Sequence, residues 1–299
     1  MKNTIFKGSG VALVTPMDNE GNVNYPVLGE LLEFHLQNET DAIIICGTTG
    51  ESATLSEEEH SKIIRYTIEK VKGKVPVIAG TGSNNTKVAV ERSKNAQNLG
   101  ADALLVVTPY YNKTSQKGII DYYESISKSV DIPIIVYNVP SRTGVNIRPE
   151  TYAELAKINN IVAVKEASGD ISAVAKTIAL CKDELMVYSG NDDIIVPILS
   201  MGGIGVISVL ANVCPKETHD IVLEYLKGNV SHSRELQLKK LPLIEALFSD
   251  VNPVPVKEAL NLLGFPCGNC REPLAPMEEK LKENLKNKMM DSSLLEDYI

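Results

Sequence analysis

Apolar residues along this chain gather in short unbroken runs, with polar, helix-periodic segments between them. The runs are GVALVTP, AIIICG, PVIAGTG, ALLVVTP, PIIVYN, IVAVKEAS, LMVYSGN and GIGVISV, eight in all. Each is rich in Val, Ile and Leu, and none alternates with polar residues as a half-solvated strand would. Such runs predict strands buried on both faces, as parallel strands are. The segment SEEEHSKIIRYTIEKVK, by contrast, has apolar residues at helical spacing, and Ser56 with Glu59 forms a capping box at its start. Strand starts recur every roughly 20 to 33 residues, the length of one βα unit. Eight such units predict an α/β fold of the (β/α)8 TIM-barrel type. The eighth run ends near Leu210, and from about Pro215 to Ile299 the pattern is helical only. The expected organisation is a barrel over residues 1–228 and a C-terminal helical domain over 229–299. A doubly wound sheet is the alternative, but it usually brings fewer strands and a Gly-rich first turn.

Composition narrows the function classes. A net charge of −8 argues against a nucleic-acid partner, which would call for a basic patch. No apolar run approaches the ~18 residues of a membrane helix, and MKNTIFKGSGVALVTP is too short in apolar residues for a signal peptide. Five cysteines, at 46, 181, 214, 267 and 270, lie mostly inside apolar runs and fit the reduced thiols of a cytoplasmic protein. The pair Cys267 and Cys270 in CGNC has no second pair or His pair nearby, so two small thiols in the helical extension are expected there rather than a zinc or redox site. Four histidines (35, 60, 219 and 232) show no metal-ligand spacing, and no metal is expected. GTGSN and MGGIGV lack the dinucleotide fingerprint and the Walker lysine, so both are expected to be strand-end turns.

A barrel places its functional residues at the C-terminal ends of its strands. There the sequence sets GTTGES (47–52), TPYYN (108–112), YNVPSRTG (137–144), Lys165 in VKEASGD, and SGNDD (189–193). Singly, each cluster has a plain structural reading as a turn or a helix cap. Lys165 is the residue that such readings explain least, because a lysine in a strand buried on both faces must give up its proton or reach solvent. A neutral lysine amine adds to a ketone to form a carbinolamine and then an iminium ion. That requires a shift of about three units from ~10.4, or ~4 kcal/mol, which burial can supply. Tyrosine hydroxyls at neighbouring strand ends can move the protons. GTT offers N–H and hydroxyl donors to a carboxylate, and Arg142 offers a bidentate fork for a second one.

In order and spacing these five motifs resemble the pyruvate-dependent class I aldolase and lyase superfamily, and within it the dihydrodipicolinate synthases. The likeness covers essentially the whole chain. It implies that Lys165 forms a Schiff base with pyruvate, that Tyr137 is the general acid and base, and that Thr48 and Tyr111 complete a proton relay. Tyr111 would reach into a neighbouring subunit's site. By the same likeness Thr49 holds the pyruvate carboxylate, Arg142 binds the carboxylate of aspartate 4-semialdehyde, and backbone groups near Gly190 and Ile207 line the pocket. No cofactor is implied, and the expected assembly is a homo-tetramer built as a dimer of tight dimers. Sialic acid lyases and 2-keto-3-deoxy sugar acid aldolases share the lysine and the barrel; the Thr48–Thr49 pair and Arg142 favour the synthase. A barrel that only binds a small acid is the non-enzymatic alternative, and it leaves Lys165, Tyr137 and Arg142 without a role. Regulated relatives carry an allosteric site for lysine, matched here at Ser52, Ala53, His60, Asn84 and Tyr110. The chain departs from that pattern at Val88, where a glutamate is usual, and at Glu57, where a histidine is usual. Weak or absent inhibition by lysine is the expectation.

Overall fold

The computed structural model describes Lys2 and residues 4–295. Eight parallel strands close into one barrel: β1 (Gly8–Ala12), β2 (Ala42–Ile45), β3 (Val77–Gly80), β4 (Ala103–Val107), β5 (Ile134–Asn138), β6 (Ile161–Glu166), β7 (Met186–Ser189) and β8 (Gly205–Ser208). The closing pair is β1 with β8. Each strand buries both faces, and this is why the runs are apolar without interruption. Ile44, Ile78, Leu105, Ile135, Tyr137, Tyr188 and Ile207 turn into the barrel. Their neighbours Ile43, Val77, Leu104, Val136 and Val187 pack outward beneath the helices. Phe6, just ahead of β1, folds into the interior and stacks on Tyr188 with ring centroids 4.4 Å apart.

One irregularity sets the orientation of β6. Its pairing with β5 runs Ile134↔Ile161 and then Ile135↔Ala163, which leaves Val162 without a partner. An extra residue of this kind inverts the in–out phase beyond it. Ile161 packs outward, yet Ala163 lies inside. Two residues on, Lys165 therefore also points into the barrel, opposite Tyr137 on β5 and Tyr188 on β7.

The intervening helices cover the barrel. Helix Glu57–Val71 starts with the capping box that its sequence predicts: Ser56 Oγ accepts from Glu59 N, and Ser56 N donates to Glu59 Oε2 at 2.9 Å. After β8 come helices Pro215–Leu226, Val230–Leu247, Val254–Leu262 and Glu279–Asp291. The second of these packs along the first and reaches the C-terminal mouth of the barrel, where Leu241 and Ile244 join a cavity wall. No helix among the described residues is long and apolar enough to cross a membrane.

Candidate active site

A cavity of about 740 Å³ opens at the C-terminal ends of the strands, and its wall includes Thr49, Tyr137, Arg142, Lys165, Gly190 and Asp192. Lys165 is 5% exposed, and its Nζ lies 4.5 Å from the centroid of the Tyr137 ring. Burial pulls the Lys165 ammonium down to about 8; the Asp192 carboxylate opposes that shift and the Arg142 guanidinium adds to it. Glu166, the next residue, faces the other way. Its carboxylate accepts from the Tyr152 hydroxyl (2.6 Å), Asn138 Nδ2 (3.1 Å) and Ser168 N (2.8 Å), so it is a structural acceptor behind the strand.

Burial raises the Tyr137 hydroxyl above its ordinary range, against Arg142 and a hydrogen bond with the Thr48 side chain. At pH 7 the phenol is therefore protonated and linked to Thr48 on the turn that follows β2. The next residue, Thr49, is buried, and its Oγ1 accepts from Asn252 Nδ2 at 3.1 Å. The Asn252 carbonyl in turn accepts from Arg142 Nη2 at 3.0 Å. Arg142 is exposed at the cavity rim, on the short helix Pro140–Thr143, so its guanidinium has one side bound to protein and the other open. Gly190 N donates to Glu166 O at 2.7 Å, and a Cβ at 190 would fall 2.7 Å from the Ala167 Cβ; glycine lets the end of β7 close onto β6. Ile207 is fully buried among the side chains of the barrel interior and is not part of the cavity wall.

Tyr111 is not at its own chain's cavity. It is 91% exposed and stands at φ 68°, a left-handed conformation that L-residues avoid. Its neighbour Tyr110 lines a second cavity of about 310 Å³, together with Thr48, Ser52, Ala53 and Arg142. His60 is fully buried with Nε2 2.8 Å from the Gly80 carbonyl, and the Asn84 carbonyl accepts from Asn112 Nδ2. The Glu57 carboxylate is engaged by Arg92 through Nε and Nη2 at 2.6–3.1 Å.

Three features of the site have no counterpart in the sequence reading. Asp192, 2% exposed, accepts through Oδ2 from Val209 N (3.0 Å) and Leu210 N (2.8 Å); burial pushes its carboxyl up despite those bonds. The doubled aspartate of SGNDD was its signal, but not which of the two turns inward. Asn252 touches Thr49 from 203 positions away, and its only local mark is the turn dipeptide Asn-Pro. The third is a buried ion pair between Glu51 and Lys257, 2.8 Å long, for which no local pattern exists.

Elsewhere, a cavity of about 880 Å³ around Ala156, Val162 and Cys181 lies beyond the opposite, N-terminal end of β6 and carries no such constellation. Glu39, His219 and Asp220 bring ligand atoms within 4.8 Å of one another, but Lys216 already pairs with Glu39 and Asp220, and His219 with Asp41.

The model of the dihydrodipicolinate synthetase family matches residues 5–291. The chain is 61% identical to the 4-hydroxy-tetrahydrodipicolinate synthase of Caldicellulosiruptor saccharolyticus, over 96% of this chain and 97% of that one. Among solved structures it resembles the dihydrodipicolinate synthase of Thermotoga maritima, at 46% identity and a TM-score of 0.96 over 98% and 100% of the two chains. The chloride-inhibited dihydrodipicolinate synthase of Acinetobacter baumannii, complexed with pyruvate, is similar at 41% identity and a TM-score of 0.95 over 97% and 100%.

Proposed function

The chain belongs to the dihydrodipicolinate synthetase family, and from that premise we propose that Lys165 is the Schiff-base nucleophile of its reaction. The activity is that of a 4-hydroxy-tetrahydrodipicolinate synthase, which condenses pyruvate with L-aspartate 4-semialdehyde at the entry to lysine biosynthesis. The carrying observation is a lysine buried at the end of β6 with its ammonium brought down to about 8. About 9% of such an amine is neutral at pH 7, against about 0.03% at the ordinary value of 10.5.

In this reading the Lys165 amine attacks the keto carbon of pyruvate, the carbinolamine loses its oxygen as water, and an iminium remains. Loss of a methyl proton gives the enamine, whose carbon attacks the aldehyde of the second substrate. Tyr137, protonated and bonded to Thr48, gives and takes the protons. Thr49 receives the pyruvate carboxylate and the open side of Arg142 that of the semialdehyde, with Gly190 on the opposite wall. Tyr111 serves a neighbouring copy: its exposure and left-handed backbone support a role outside its own chain, and the smaller cavity beside Thr48 can admit a ring. The assembly proposed is a tetramer made of two such dimers.

Reduction with borohydride in the presence of pyruvate, followed by peptide mass spectrometry, tests the mechanism. One reduced pyruvyl group on the Lys165 peptide is expected. An adduct on another lysine, or none, overturns it.

A further inference from the structure

The turn that carries Thr48 and Thr49 is held in a conformation it would not choose alone. Two non-glycine residues in the left-handed region bracket it, Cys46 at φ 52° and Glu51 at φ 56°. Within the turn, Glu51 N donates to Thr48 O (3.1 Å) and Ser52 N to Gly47 O (3.2 Å), both long bonds. The Glu51 carboxylate supplies the stronger ties. Oε1 accepts from Lys257 Nζ at 2.8 Å and Oε2 from Arg271 N at 2.8 Å, while Lys257 also donates to Asn269 O at 2.8 Å. The side chains of Lys257 and Glu51 are 2% and 1% exposed.

Lys257 lies five positions after Asn252, the residue bonded to both Thr49 and Arg142. One short C-terminal stretch therefore grips the turn at Thr49 and at Glu51, and the rim arginine as well. A buried ion pair is a weak source of stability, because apolar residues of similar volume are often as good. What it supplies is a fixed geometry, through hydrogen bonds stronger and more directional than those between neutral groups.

We infer that the Glu51–Lys257 pair is a positioning device that sets the Thr48–Thr49 turn for pyruvate from the C-terminal segment. The inference rests on the reading that this turn receives pyruvate. Neither residue lines the cavity that holds Lys165, so the pair's effect appears in how well the site is organised, not in whether Lys165 can react.

The test compares the full-length enzyme with Glu51→Gln, Lys257→Met and the double variant Glu51→Gln/Lys257→Met. Urea midpoint, pyruvate KM, kcat and the borohydride adduct at saturating pyruvate are measured for each. In the single variants pyruvate KM should rise ~10-fold or more, since small misplacements of binding groups weaken binding steeply, while Lys165 is still fully trapped. Both single variants should also lose stability, because Lys257→Met leaves a lone buried carboxylate and Glu51→Gln a lone buried ammonium. The double variant should regain stability, with no unpaired charge left inside, and keep the raised KM. A double variant that is stable and within two-fold of wild-type KM overturns the inference and makes the pair merely structural. Should the double variant fail to fold, the isosteric Glu51→Gln decides alone, assayed where urea unfolding shows it fully folded: wild-type KM in it overturns the inference, and a raised KM with Lys165 still fully trapped at saturating pyruvate supports it. Failure of the wild-type enzyme to form the Lys165 adduct is a different result, and it sinks the mechanism of the site instead.

Discussion

Lys165→Met should make this protein more stable near neutral pH while abolishing its chemistry. Folding takes the Lys165 amine from an ordinary value of 10.5 to about 8, chiefly by burial. Between those values the unfolded chain holds a proton that the folded chain has released, so the lysine contributes a stability that rises with pH across that window. Below about pH 8 both states are protonated and the full cost of burying the charge is present. At 1.36 kcal/mol per pKa unit, that cost is at most about 3 kcal/mol at pH 7 and about 1.4 kcal/mol at pH 9.5. Methionine has a similar length and no charge, so the variant lacks this slope. Part of the gain is lost because Asp192 is deprived of a nearby cation, although its bonds from Val209 N and Leu210 N remain. Urea unfolding without pyruvate, at one fixed protomer concentration, measures the difference at both pH values. The variant should be the more stable at pH 7, by up to about 3 kcal/mol, and the gap should narrow at pH 9.5. A variant no more stable than wild type at pH 7, or a gap that fails to narrow, would refute a neutralised, buried Lys165.

Arg142→Ala should still trap pyruvate on Lys165 but lose ~2–4 kcal/mol in kcat/KM for aspartate semialdehyde, the substrate whose carboxylate it is proposed to bind; unchanged semialdehyde kinetics would remove Arg142 from the site. If Tyr111 completes a neighbour's relay, folded monomers obtained by dilution should be inactive, and a fully active monomer in sedimentation experiments would exclude the shared arrangement. Added lysine should inhibit weakly, because position 88 is a valine and the Glu57 carboxylate is already clamped by Arg92; loss of one bond to a charged group costs ~1.5–3 kcal/mol, and half-inhibition well below a millimolar would contradict this.

The barrel and the core of the site were legible in the chain because their causes are local. Burial on both faces forces unbroken Val, Ile and Leu runs, and turn chemistry marks each strand end with Gly, Pro, Thr or Asn. A lysine at the end of such a run has few structural explanations, so Lys165 stood out without coordinates, as did the Ser56–Glu59 box that opens the helix after β2. What the chain could not reveal is where contact depends on folding. A strand apolar on both faces carries no in–out phase, and the unpaired Val162 turns Lys165 inward and Glu166 outward. Asn252 meets Thr49, and Lys257 meets Glu51, across about 200 positions, since closing the barrel and packing the C-terminal helices on its mouth bring them together. The fall of Lys165 to about 8 belongs to the same class: the residue type permits it, but burial against Asp192 and Arg142 sets its size.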